Sequence, residues 1–202
     1  MSSDKQTREK LLLAARQEFL EKGYRNASLR SICRESGVTT GALYFFFRDK
    51  NDLFRELVEG PLQELIAVIQ QHFVEEMQET LMQRHMEEDS AEDLRQAKAV
   101  LDIIYDHFDS FDLLLMKSEG SAYEKLFDQF VDMAEKHYRK LADKVAEIKK
   151  AGRMNDYMVH WIAHMQISSF AQLIEHRVPR KEAMLQMENM IKFMQYGWSG
   201  MF

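Results

Sequence analysis

Two histidines four residues apart, His160 and His164, have a spacing that suits a metal ion. On a helix both would share one face, and paired imidazoles with further ligands can bind zinc. Trp161 follows His160 where a zinc protease would carry glutamate, so that pattern is absent. Additional ligands would have to come from His107, His137 or Glu175, which the sequence does not place. Ordinary packed histidines are the favoured reading, and neither a metal nor a cofactor is expected. Cys33 is the single cysteine, so no internal disulfide framework is possible, and the chain suits a reducing compartment. It falls at a core-facing position, where a thiol is usually inert. No nucleophile elbow, phosphate-cradling glycine loop or paired-cysteine motif occurs. The chain is not expected to be an enzyme.

The chemistry that remains is binding. The net charge of −6 is unevenly divided: residues 1–50 carry a net +4 and residues 51–202 a net −10. A basic head on an acidic body points to a polyanion as partner of the head. Within that head, residues 28–54 read SLRSICRESGVTTGALYFFFRDKNDLF. Hydroxyls at Ser28, Thr39 and Thr40, the small residues Gly41 and Ala42, and the cations Arg30 and Lys50 all fall in this stretch.

Those residues need short helices to hold them. Leu11, Leu12, Ala15 and Phe19 recur at helical spacing and predict an amphipathic helix over about 4–22, closed by Gly23. Ser28 is the expected N-cap of a helix to about Ser36, and Gly37 ends it. Thr39 or Thr40 caps the next, Gly41–Phe47. Asp49 opens a fourth, with Asp52 at capping-box spacing. The pattern is helix, tight glycine turn, helix, which is the helix-turn-helix layout. Leu29, Ile32 and Cys33 supply one inner face; Val38, Leu43 and Phe47 supply the other.

The fourth helix is interrupted at Gly60-Pro61, where a kink or short break is expected because Pro61 has no N–H for the Leu57 carbonyl. Residues 84–90 read as a polar loop, with Ser90 as the next cap. Further helices are expected over about 91–109, 110–118, 120–148, 154–176 and 180–196, with Pro179 at the start of the last. Two prolines and eight glycines in 202 residues argue against a many-turned β fold. The fold class is all-α: a three-helix N-terminal helix-turn-helix domain, 1–50, and a larger helical ligand-binding and dimerisation domain, 51–202. No secretory signal and no membrane span is apparent, so a cytoplasmic location is expected.

Across about residues 7–58 the chain resembles the TetR family of bacterial transcriptional regulators. The match runs through Phe19, Gly23-Tyr24, Ser28, Arg30, Ile32, Gly37-Val38, Gly41, Leu43-Tyr44, Phe47, Lys50 and Leu53. The resemblance implies a dimeric repressor that binds double-stranded DNA at a palindromic operator and is released by a small-molecule inducer. It also implies DNA contacts from Ser28, Arg30, Thr39, Thr40, Gly41, Ala42, Tyr44, Phe45 and Lys50. Local physics supports several of these. Hydroxyls and helix N–H groups suit phosphate, and arginine suits guanine. A lysine in the first turn of a helix gains from an anionic partner. Phe45 and Phe46 stand where the family often carries polar residues; Phe45 is expected against a thymine methyl.

In the body, Met184, Met187, Ile191 and Met194 follow a 3-4-3 spacing, and Met158, Trp161, Met165 and Ser168 follow a similar one. Two such seams suit a four-helix homodimer interface. Tyr105, Phe108, Phe111, Tyr123, Phe127 and Phe130 are candidates to line a pocket for an apolar or aromatic effector. Two rivals are a constitutive DNA- or partner-binding module without ligand input, and a metal sensor built on His160 and His164.

Overall fold

A computed structural model describes residues 3–82 and 90–202. Among the described residues there are nine helices and no strand. The expected loop over 84–89 lies outside the described residues, and Ser90 is already the first residue of a helix. The chain divides into two compact units, residues 1–63 with 107–126, and residues 64–106 with 127–202. This packing division differs from the split at residue 50, which separates the chain by expected role.

The first unit opens with α1 (Ser3–Asn26), α2 (Leu29–Ser36) and α3 (Thr40–Phe46). Leu11, Ala15 and Phe19 of α1 are fully buried, as their four-residue spacing requires. Gly23 interrupts α1 with φ 72°, a left-handed conformation that glycine adopts without a Cβ clash. The bend sends the Tyr24 N–H to the Lys117 carbonyl at 2.8 Å. Gly37, at φ 68°, closes α2 in the same conformation. Thr39 caps α3: its hydroxyl accepts from the Ala42 N–H at 3.2 Å. Ser28 occupies the N-cap position of α2, but its side chain makes no capping bond.

Helix α4 (Lys50–Leu81) begins with a reciprocal pair of caps. The Asp49 carboxylate accepts from the Asp52 N–H at 2.7 Å, and the Asp52 carboxylate accepts from the Arg48 N–H at 3.1 Å. The helix runs unbroken through Gly60 and Pro61, which corrects the expectation of a possible break. Pro61 still leaves the Leu57 carbonyl without its usual donor. The Ser110 hydroxyl, buried on α6 (Phe108–Met116), supplies one at 2.8 Å. The segment after α6 is tied to the same helices: the Ala122 N–H donates to Asn51 at 3.1 Å, and the Tyr123 hydroxyl donates to Glu59. Phe54 packs edge-on against Phe19 and Tyr24.

The second unit holds the later part of α4, α5 (Ser90–Asp106), α7 (Leu126–Lys149), α8 (Asp156–Glu175) and α9 (Arg180–Ser199). Turns replace the expected start of α7 over 120–125. One core cluster gathers Ala134, Tyr138, Leu141, Val159, Ile162 and Ala163, with Phe73, Met194 and Trp198 against it. Another gathers Leu101, Leu173, Ala183 and Met187. The Arg180 guanidinium donates to Asp102 and Asp106, both at 2.6 Å, joining α9 to α5. No described helix is long and apolar enough to cross a membrane.

Candidate nucleic-acid interface

The site is built on α2, the Gly37 turn and α3. Leu43 and Phe47 point inward and are buried. At about 100° per residue, Gly41 and Phe45 lie roughly opposite Leu43, so they form the outermost line of α3. Thr39, Thr40, Gly41, Tyr44 and Phe45 are all exposed. Phe45 is 75% exposed and Tyr44 is 55% exposed. Ala42 is half-buried beside them. Phe46 lies edge-on to Phe45 with ring centroids 5.0 Å apart, and it also packs against Phe47. Ser28 and Arg30 are exposed at the start of α2. Nearby arginines are already paired, Arg34 with Glu35 and Arg48 with Asp52.

Lys50 is placed differently from its neighbours in this set. Its ammonium donates to the carbonyls of Tyr24, Arg25 and Ala27 at 2.7, 3.3 and 3.2 Å. It also sits 4.5 Å from the centroid of the Tyr24 ring. Burial lowers its pKa from the ordinary lysine value. The same ammonium that sequence reasoning assigned to phosphate therefore fastens α4 to the α1–α2 junction. Tyr24 at the glycine bend, with carbonyls turned toward Lys50, was the missed partner. Glu18 was missed as well: it is buried, pairs with Lys22 and accepts from the Ser28 N–H at 3.1 Å.

The expected pocket residues are not gathered in one unit. Phe108, Phe111 and Tyr123 belong to the first; Tyr105, Phe127 and Phe130 belong to the second. Phe111 is fully buried. The Tyr105 hydroxyl donates to the Val178 carbonyl at 2.6 Å, and the Phe127 ring lies edge-on to His164.

The two expected seams divide between core and surface. Met187, expected at the dimer face, is 2% exposed and packs in the chain's own core. Met184 packs on that core, and Met158 and Met194 pack on the other cluster. Met165, Ser168 and Ile191 are half-buried, whereas Trp161 is 58% exposed. Tyr157, Leu185, Phe193 and Tyr196 are also exposed on α8 and α9 and were not anticipated.

His160 pairs with Glu135 at 2.7 Å, and His164 hydrogen-bonds Ser168 at 3.1 Å. Among the described residues, no group of three His, Cys, Asp or Glu side chains is placed to hold a metal.

Two short helices joined by a tight glycine turn, each with a buried inner face, and an exposed outer line on the second define a helix-turn-helix. Residues 11–57 match the family model described as bacterial regulatory proteins, tetR family. This segment thus resembles the N-terminal domain of TetR-family regulators. Over 53 residues it is 49% identical to the HTH-type transcriptional repressor BepR of Brucella suis, covering 26% of this chain and 25% of that protein. Over 81 residues it is 31% identical to the HTH-type transcriptional regulator UidR of Escherichia coli, covering 38% of this chain and 41% of the relative. The matched stretches therefore span well under half of these curated relatives. The whole fold is similar to the crystal structure of a TetR-like transcriptional regulator from Rhodococcus sp.. That likeness has a TM-score of 0.57 and 17% identity, and covers 96% of each chain.

Proposed function

We propose that the chain is a dimeric, ligand-responsive transcriptional repressor that binds a palindromic operator through α2 and α3 and is released by a small apolar or aromatic inducer. The observation that carries the DNA half is the exposed outer line of α3. Its small first residues permit close approach to base edges, and Tyr44 and Phe45 follow one turn later. Ser28 and the Thr39–Thr40 start offer donors to phosphate, and Arg30 offers a bidentate fork to guanine. The repressor name of the Brucella relative, which matches this same segment, supports the reading.

The dimer half is supported by the aromatic side chains left exposed on α8 and α9, whose burial against a second copy would complete a four-helix interface. The inducer half is supported by the aromatic content of the helical body, and the division at 50/51 remains its proposed functional boundary.

The test is selection of a preferred duplex from random DNA, followed by fluorescence anisotropy over a salt series with wild type and Tyr44→Ala. A palindromic site should emerge, with affinity falling steeply as salt rises. Tyr44→Ala should bind about three- to tenfold more weakly while folding normally. Recovery of no preferred sequence would overturn sequence-specific regulation.

A further inference from the structure

Helix α2 starts without the cap its own sequence offers. Ser28 stands at the N-cap, where a serine hydroxyl ordinarily accepts from an N–H in the first turn. Here it makes no capping bond and is exposed. A capping box would complete such a start with Glu or Gln three residues on, reaching back to the N-cap N–H. Ser31 occupies that position instead. The carboxylate comes from α1. Glu18, 5% exposed, accepts from the Ser28 N–H at 3.1 Å and from the Ser31 hydroxyl. Ser31 accepts in turn from the Arg34 guanidinium at 3.4 Å, so its own proton can go to Glu18. One turn along α1, the Lys22 ammonium donates to both Glu18 oxygens at 2.8 Å. Burial pushes the Glu18 pKa up, but the bonds from Lys22, Ser28 and Ser31 outweigh it and hold the carboxyl below its ordinary value. The capping box of α2 is thus closed by a residue of another helix, ten positions before the N-cap. The entry of α2 is fixed without using the Ser28 hydroxyl.

We propose that Glu18 is a positioning residue for operator binding: by capping α2 from α1, it leaves the Ser28 hydroxyl to a DNA phosphate. This rests on the operator-binding reading above. With Glu18 in place, the hydroxyl takes its orientation from the phosphate and contributes nothing to the helix. With the carboxylate gone, the hydroxyl turns to accept from the α2 N–H groups, and its rotamer is set by the helix instead. The two residues are therefore coupled in DNA affinity, although only Ser28 touches DNA. A Glu18 that served stability alone would leave the affinity cost of losing Ser28 the same in both backgrounds.

The experiment places Ser28→Ala in wild type, Glu18→Leu and Glu18→Gln, each as the full-length protein. Urea unfolding reads the cap, and anisotropy with the selected duplex reads the phosphate contact. In wild type, Ser28→Ala should leave the urea midpoint unchanged and weaken binding about fivefold. In Glu18→Leu, the same substitution should lower the midpoint by about 0.5 M and cost about twofold or less in affinity. Glu18→Gln keeps an oxygen acceptor for the Ser28 N–H and should restore most of the wild-type pattern. Circular dichroism checks that the variants are folded. A midpoint lowered by Ser28→Ala in wild type shows that Ser28 already caps α2, and it overturns the proposal whether or not Glu18→Leu folds. Equal affinity costs of Ser28→Ala in wild type and Glu18→Leu also overturn it and leave operator binding standing. Selection that recovers no preferred site overturns both.

Discussion

Lys50 illustrates how one side chain can satisfy two descriptions of its surroundings. From the sequence it is a cation at the start of a helix, where the dipole favours an external anion. In the fold its three donors meet three backbone carbonyls. Those carbonyls belong to the bend after Gly23, where the α1 hydrogen-bond ladder ends and acceptors are left over. Lys50→Met should therefore destabilise the protein by about 1.5 kcal/mol, the scale of hydrogen bonds involving a charged group. Urea unfolding measures that loss. A variant as stable as wild type, with a salt slope lowered by one, would return Lys50 to the phosphate role instead. Tyr44 and Phe45 pose no such conflict, because both side chains stand exposed on α3.

At the scale of elements, Pro61 and Ser110 form a matched pair. Pro61 removes the donor that the Leu57 carbonyl would use, and Ser110 restores one from α6. Ser110→Ala should cost about 1–3 kcal/mol, because it strands a buried acceptor. In a Pro61→Ala background the helix regains its own N–H, and the same substitution should cost at least about 1 kcal/mol less. Equal costs in the two backgrounds, read from urea melts, would show that the hydroxyl matters for packing alone. Pro61 was visible in the sequence as a local defect. The residue that answers it lies 49 positions away, and nothing in local spacing connects the two. The helix-turn-helix was legible for the opposite reason. Gly37, Thr39 and the Leu43–Phe47 spacing act within a few residues, so turn, cap and buried face follow from neighbours along the chain.

For the whole molecule, the dimer proposal turns on which side of α8 and α9 faces out. Both helices are apolar around much of their circumference, and a 3-4 spacing picks a stripe without saying whether it is core or surface. Met187 went inward, while Trp161 and Phe193 stayed exposed. Replacing both exposed aromatics, Trp161→Glu with Phe193→Glu, should convert a dimer to a folded monomer in sedimentation equilibrium and abolish tight operator binding. A variant that remains dimeric would place the interface elsewhere. What the sequence by itself determined is the all-helical class, the cap-and-turn grammar of the first fifty residues and the TetR-family likeness they carry, all set by short-range periodicity and backbone preference. Only the tertiary structure decided that residues 107–126 pack with the N-terminal helices, that Lys50 docks on carbonyls, and which stripe of α9 is core. Those outcomes depend on partners distant in sequence, whose positions are set by how the helices pack.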